Sequence, residues 1–218
     1  MSDLMASDKG GSNFKPVPAG MHLARCYRVI DLGTQKTSWQ GVEKAAKKVQ
    51  IVWELHGEDA DGTPLTTDDG RPLSVQRRFT PSLGPKAKLR EILVAWRGRP
   101  FTPDELEGFK LQNILGAWAM ISVAKSAGNN GKEYTNIMSV NPVPASIKKA
   151  GLPEAHNKAA IFAIENPDME LFETFSNGLQ DKIRSSPEWQ AREGKKSGED
   201  RHETQGSSFD DMNDDIPF

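Results

Sequence analysis

The sequence predicts a mainly β, α+β fold in which one helix lies between the third and fourth of five strands. Apolar and polar residues alternate over 47–55, which is the period of a half-buried strand. Further along, four apolar residues recur at helical spacing and predict a helix: Leu89, Ile92, Leu93 and Trp96. Strand-like segments lie on both sides of that helix, so we expect a mixed domain built mainly from strands.

The first two predicted strands cover 21–33 and 47–55. The first is rich in Leu, Val, Ile and Tyr and ends at Gly33. The residues between the strands, 34–46, are polar and are predicted to form a loop. In the second strand one face is apolar and predicts a core that includes Trp53: Val49, Ile51, Trp53 and Leu55.

The middle of the chain continues with a loop, a strand and two helices. Residues 56–72 are dense in Gly, Asp, Thr and Pro and predict a loop, and a third strand follows at about 73–80. The first helix is predicted over 85–96, with Gly98 as its terminator. Thr102 and Glu105 have the spacing of a capping box, which predicts that a short second helix begins there.

The last two predicted strands form a hairpin. Residues 117–125 and 134–140 are compatible with strands, and Gly128-Asn129-Asn130-Gly131 between them predicts a turn. Three strands, a helix and two strands is the order of the OB-fold, a five-stranded barrel that commonly binds oligonucleotides. Other small α+β folds share parts of this order.

We predict four regions along the chain. Residues 1–19 form a disordered or extended arm, and 20–148 form the five-stranded domain. Residues 149–192 form an extension of short helices packed on the barrel, at 170–175, at 179–183 and from Pro187 with Ser186 as its N-cap. Residues 193–218 have few large apolar side chains before the end and are predicted to be a flexible acidic tail.

The motifs of common catalytic and metal sites are absent from the sequence. His22 and Cys26 lack the further ligands that a zinc site needs, and neither phosphate-binding glycine motif occurs. The acidic residues of 59–70 lack the glycine and glutamate positions of a calcium-binding loop. Asp104 and Asp168 lack the acid-x-Lys partner of a nuclease. We therefore expect no enzymatic activity, no metal and no cofactor.

The chain is expected to be soluble and intracellular. No segment approaches the roughly 18 consecutive apolar residues of a membrane-spanning helix, so we expect no membrane partner. A single cysteine, Cys26, is consistent with a reducing compartment.

The net charge of −2 conceals an uneven distribution along the chain. Residues 20–150 contain 19 basic and 13 acidic residues, whereas 193–218 contain 3 basic and 8 acidic residues. This asymmetry predicts a body that binds a polyanion, joined to an acidic interaction tail.

The C-terminus has the composition of a ligand for another protein. An acidic run there ends in three residues that gain nothing from exposure to water, Ile216-Pro217-Phe218. Phe218 suits an apolar pocket, its carboxylate suits an Arg or backbone donors, and the aspartates suit a basic rim. Seven residues make up the predicted partner-binding peptide: Asp210, Asp211, Asp214, Asp215, Ile216, Pro217 and Phe218.

The sequence Asp214-Asp215-Ile216-Pro217-Phe218 is similar to the terminal peptide of bacterial single-stranded-DNA-binding proteins, which docks replication and repair enzymes. The body resembles bacteriophage-encoded single-stranded-DNA-binding proteins that have an OB-fold. The segments that carry the resemblance are 29–33, 53–55, 89–102, 113–116, 134–137 and 182–189. The resemblance implies coating of single-stranded DNA in phage replication, recombination and repair, in the cytoplasm of the bacterial host.

Single strands are held by cations along the phosphates and by aromatic rings under the bases. Trp39 is the best stacking residue because it lies among polar residues, although a loop tryptophan can equally form a lid on a barrel. Arg77 and Arg78 occupy opposite faces of a strand, so at least one of them faces solvent. The predicted DNA-binding residues are Arg25, Tyr27, Lys36, Trp39, Lys44, Lys47, Lys48, Arg77, Arg78, Lys125, Lys132 and Tyr134.

The leading hypothesis is therefore a non-enzymatic single-stranded-DNA-binding protein whose tail recruits replication, recombination or repair proteins of host or phage. It includes possible self-association on DNA. The alternative is a recombination mediator or replication adaptor, which mainly recruits proteins and binds DNA weakly.

Overall fold

The computed structural model describes residues 15–39, 42–127 and 133–194. The strands are β1 (Gly20–Trp39), β2 (Val42–His56), β3 (Ser74–Phe79), β4 (Trp118–Ala127), β5 (Glu133–Asn141) and β6 (Ala160–Phe162). The helices are α1 (Lys88–Arg97), α2 (Pro103–Glu107), α3 (Ala145–Ala150), α4 (Met169–Glu173), α5 (Asn177–Arg184) and α6 over 187–194, with a 3-10 turn at Leu111–Ile114. The predicted mainly β, α+β class is confirmed.

The strands form one sheet with the order β3-β2-β1-β4-β5, all antiparallel, and β6 pairs in parallel with β1. No backbone ladder joins β3 to β5 in the ranges that the structure describes, so the sheet is open at this seam. A side chain crosses the seam instead: Arg77 Nη1 donates to the Ile137 carbonyl at 2.8 Å. The five predicted strands are present, but closure of the sheet into a barrel is not shown.

Two register shifts bend the long strand β1, one between Cys26 and Arg28 and the other between Asp31 and Thr34. A bulge of this kind increases strand bending and twist. The prediction of a loop over 34–46 is wrong. Residues 34–39 pair with 42–47 and extend β1 and β2 as a hairpin arm. Sequence pattern missed the arm because most of its described side chains are exposed, so it shows no apolar alternation.

The inner face of the sheet packs against α1. Trp53 is 0% exposed, which confirms that it belongs to the core. Its ring lies 5.8 Å from that of Trp96, one of the buried residues of α1. Trp96 Nε1 also donates to the Trp118 carbonyl at 2.8 Å, which ties the helix to β4. The helical spacing read from the sequence therefore marks the face of α1 that is buried.

The outer face of β2 is also buried, contrary to the prediction of a half-buried strand. Gln50, Val52 and Glu54 are inaccessible to solvent or nearly so. A second hydrophobic cluster covers this part of the sheet and combines residues of β1 and β2 with residues of the C-terminal extension: Tyr27, Ile30, Leu32, Val52, Phe162, Ile164, Phe172, Phe175, Ile183 and Trp189. Burial of both faces requires contacts between residues that are more than 100 positions apart in the chain.

The C-terminal extension is bound to the base of the hairpin arm. Glu188 accepts hydrogen bonds from the Thr34 backbone N–H at 2.8 Å and from Thr34 Oγ1 at 2.6 Å. Ser186 caps α6 as predicted, since its Oγ accepts from the Trp189 N–H at 3.3 Å. The start of α6 therefore lies against the second bulge of β1.

Gly33→Ala is expected to lower the free energy of unfolding by roughly 2–4 kcal/mol, because strain and overpacking add. Gly33 has a φ of +64°, and an added Cβ would lie 2.5 Å from Ser186 Cβ and 2.8 Å from Glu188 Oε2. Urea unfolding of the purified variant measures the decrease.

Gly70→Ala is the matched control. Its φ is +79°, but an added Cβ would meet no atom within 4 Å, so we expect only about 1–2 kcal/mol from the left-handed backbone. Equal decreases in the two variants would contradict the close packing of α6 on Gly33.

Candidate nucleic-acid interface

The middle of β2, the end of β3 and the segment leading into α1 line a groove of about 710 Å³. We call it the basic groove, because within the described part of the chain none of its lining side chains is acidic and five are cationic: Lys48, Arg77, Arg78, Lys86 and Lys88. These residues come from three separate segments, so only folding brings their charges together. Such a groove suits a chain of phosphates.

Three of the five cations are held by neutral partners, which position them without cancelling their charge. Lys48 Nζ donates to Thr80 Oγ1 at 2.9 Å, and Arg78 Nε donates to Gln50 Oε1 at 3.0 Å. Arg77 donates to a backbone carbonyl across the seam. Lys88 differs, because its Nζ lies 2.7 Å from Glu91 Oε1 on the next turn of α1.

The start of α1 contributes to the positive potential of the basic groove. Its N-cap residue, Ala87, lines the groove and makes no side-chain capping hydrogen bond. The first N–H groups of a helix have no intrahelical partner, and the helix dipole places partial positive charge there. Both effects favour an anion at this end of the groove.

The sequence prediction missed Lys86 and Lys88 as site residues. A signal for them does exist, because both lie at the start of the predicted helix, where acidic residues are normally favoured. Two lysines at a helix N-terminus act against helix stability, and this conflict is typical of a site built for an anion.

The hairpin arm contains three of the predicted lysines. Lys36 and Lys44 are exposed on its two strands, and Lys47 lies 3.4 Å from Asp31 Oδ2. Lys47 is followed directly by Lys48, so the arm and the groove meet in β2. Trp39 pairs with Val42 at the end of the arm. The position of the Trp39 indole and all of Lys132 lie outside the described residues.

Two predicted residues, Arg25 and Tyr27, are not brought to the groove. Arg25 Nη1 lies 3.2 Å from Glu54 Oε1 and 2.9 Å from the Asn157 carbonyl oxygen, beneath the C-terminal extension. Tyr27 is buried in the second hydrophobic cluster, and burial raises the pKa of its phenol. The sequence predicted that both contact DNA, but both pack against the C-terminal extension, so we no longer assign them to DNA.

Lys125 and Tyr134 lie on the β4–β5 hairpin. Lys125 Nζ is 3.1 Å from Glu133 Oε2, and Tyr134 is 48% exposed. Tyr134 lines a second hollow of about 350 Å³ at the seam between β3 and β5, which we call the seam cleft. Of the predicted residues, Lys48, Arg77 and Arg78 line the basic groove, and Tyr134 lines the seam cleft.

Cys26 and His22 are of residue types that occur in catalytic and metal sites, and both are buried in this fold. Burial raises the pKa of the Cys26 thiol to about 12, and His22 Nε2 lies 2.8 Å from the Pro18 carbonyl oxygen. Within the described ranges no three His, Cys, Asp or Glu side chains are grouped to hold a metal ion. The helices described there are too short or too polar to cross a bilayer.

No protein-family model matches the chain, and no curated protein matches it.

Proposed function

We propose that the protein is a non-enzymatic single-stranded-DNA-binding protein of phage replication and recombination. The basic groove binds DNA phosphates, and the acidic C-terminal peptide recruits partner enzymes. One observation carries the proposal: five cations line the groove, and among the described residues no acidic side chain does. Lys and Arg side chains bind phosphate through charge-assisted hydrogen bonds, and the counterions released from the DNA add to affinity.

The arrangement of the sheet supports the same function. We infer an OB-type barrel that is open between β3 and β5, because the strand order and the position of α1 match a partly open five-stranded barrel. In that fold the face of strands 2 and 3, together with the β1–β2 and β4–β5 connections, binds oligonucleotides. Here β2 and β3 contribute to the basic groove, and the hairpin arm adjoins it.

The position of α6 supports a second role for the acidic tail. Glu188 holds the start of α6 at Thr34, beside the hairpin arm. The chain runs through α6 into its acidic end, and residues 193–218 contain 8 acidic residues. A tethered polyanion competes with DNA for the same cations until a partner protein binds its terminal peptide.

A fluorescence-anisotropy titration of labelled oligo(dT) with the full chain tests the proposal across a salt series. We expect the logarithm of the affinity to fall linearly with the logarithm of salt concentration, by about 0.7 per bound phosphate. A chain lacking residues 209–218 is expected to bind more tightly, most clearly at low salt, because screening is weakest there.

Three outcomes separate the possibilities. Absence of binding by the full chain at low salt would contradict the proposed function. Equal affinity with and without 209–218 would exclude tail competition and leave DNA binding intact. Capture of replication proteins that depends on Phe218, without measurable DNA binding, would favour the recruitment adaptor.

A further inference from the structure

The seam cleft has a chemical character opposite to that of the basic groove. Among the described residues no Lys or Arg lines it, and Glu133 is the one charged residue of that lining. Its apolar lining residues are Pro16, Val17, Val75 and Ile137, and Tyr134 adds an aromatic ring. Its polar lining residues are Ser74, Gln76, Glu133 and Thr135. This combination suits a flat, neutral group with hydrogen-bonding edges and is unsuited to a phosphate.

The cleft adjoins the basic groove along β3. Gln76 lines the cleft, and the next residue, Arg77, lines the groove. The hydrogen bond from Arg77 to the Ile137 carbonyl marks the boundary, since Ile137 also lines the cleft. Gln76 in the cleft and Arg78 in the groove share a face of β3, since the Gln50 side chain bonds to both. Residues on one face of a strand are about 6.6 Å apart, so one short nucleic-acid segment can reach both sites.

Part of the cleft wall belongs to the hydrophobic core. Val17 is buried in the main hydrophobic cluster, and the neighbouring Lys15 donates to the Thr66 carbonyl at 3.1 Å. On β3, Gln76 Oε1 accepts from Gln50 Nε2 at 2.9 Å, which orients the Gln76 amide. Ligand sites are typically preformed hollows with a mainly apolar lining and a few placed polar groups.

We propose that the seam cleft is a nucleobase subsite, in which an unpaired base stacks on Tyr134 while its phosphates lie in the basic groove. The proposal rests on the proposed function and adds a reason for strand selectivity. A base within a duplex is stacked on both faces and paired along its edge, so it cannot enter the cleft. The groove alone would bind any phosphate chain.

The test compares Tyr134→Ala with the wild-type chain on two oligonucleotides of equal length, oligo(dT) and an abasic oligomer with the same phosphates. We expect a roughly 5- to 150-fold decrease in affinity for oligo(dT), which corresponds to the 1–3 kcal/mol of one stacked base. Affinity for the abasic oligomer should stay within about twofold, because stacking is absent there. Tyr134→Phe keeps the ring and should retain the affinity for oligo(dT).

Met138→Ala is the matched control, since Met138 is 62% exposed on the same strand and does not line the cleft. It should leave both affinities unchanged. Wild-type binding of oligo(dT) that Tyr134→Ala does not weaken would overturn the base subsite and leave the proposed function intact. Equal decreases on both oligonucleotides would also overturn it, because stacking on a base cannot act on an abasic strand. Wild-type failure to bind either oligonucleotide would instead contradict the proposed function.

Discussion

Reversing two charges in the basic groove, Arg78→Glu with Lys86→Glu, is expected to weaken oligo(dT) binding by roughly a hundredfold or more. Each change removes one charge-assisted hydrogen bond, which contributes about 1.5–3 kcal/mol, and adds repulsion. The slope of the salt dependence should also decrease by about 0.7 for each phosphate that the variant no longer binds. Both residues line the groove and are exposed or half-buried, so we expect the fold to be retained.

The control is a double reversal that changes the net charge by the same amount at another place, Lys148→Glu with Lys149→Glu. Both lysines are exposed on α3 and neither lines the groove. This variant should lose only the weak long-range attraction between these two lysines and DNA, which salt screens. If the two double variants were weakened equally across the salt series, net charge rather than the groove would explain DNA binding.

Glu54→Gln is expected to lower the free energy of unfolding by about 3–5 kcal/mol, because it leaves the partly buried Arg25 guanidinium without its anion. The Glu54 side chain is 0% exposed and lies 3.2 Å from Arg25 Nη1. Its carboxylate also accepts from the Asn157 backbone N–H at 2.8 Å and from Asn157 Nδ2 at 2.6 Å. Urea unfolding measures the decrease.

A variant that lacks both charges of the Arg25–Glu54 ion pair is the control for Glu54→Gln. The variant Arg25→Met with Glu54→Leu should be more stable than Glu54→Gln, since replacing a buried ion pair by apolar residues is often nearly neutral. A double variant that is less stable than Glu54→Gln would contradict an uncompensated charge as the cause.

The same carboxylate should make the protein sensitive to acid. Burial raises the pKa of Glu54, but hydrogen bonds from Asn157, His56 and Arg25 outweigh it and hold the pKa below its ordinary value of 4.5. A group whose pKa is lowered by folding stabilises the protein above its unfolded pKa and ceases to do so as the pH falls through its folded pKa. The melting temperature of the wild type should therefore fall below about pH 4.5, and less steeply in Glu54→Gln.

Local patterns in the sequence were sufficient for the elements that depend on neighbouring residues. The capping box is confirmed, because Glu105 N donates to Thr102 Oγ1 at 3.3 Å and Thr102 N donates to Glu105 Oε2 at 3.0 Å. The alternation that includes Trp53 and the helical spacing that includes Trp96 both mark buried faces. These signals come from residues that are a few positions apart in the chain, so they can be recognised without knowledge of tertiary contacts.

The candidate sites depend on contacts that no local pattern contains. The sequence offered Arg25 and Arg78 as equal members of one basic set, but the fold places Arg25 beneath the C-terminal extension and Arg78 in the groove. Lys86 joins Lys48 there although 38 positions separate them. The seam cleft likewise requires β3 and β5 to lie side by side.

By itself, the sequence determined the strand-rich class, the helix after the third strand, the core position of Trp53 and the division into a basic body and an acidic end. Each of these follows from composition or from short periods along the chain. Only the tertiary structure decided which cations line the basic groove, which face of the sheet the C-terminal extension covers and where the sheet stays open. The physical reason is that electrostatic potential and burial depend on distance in space, which a single sequence does not state for residues far apart in the chain.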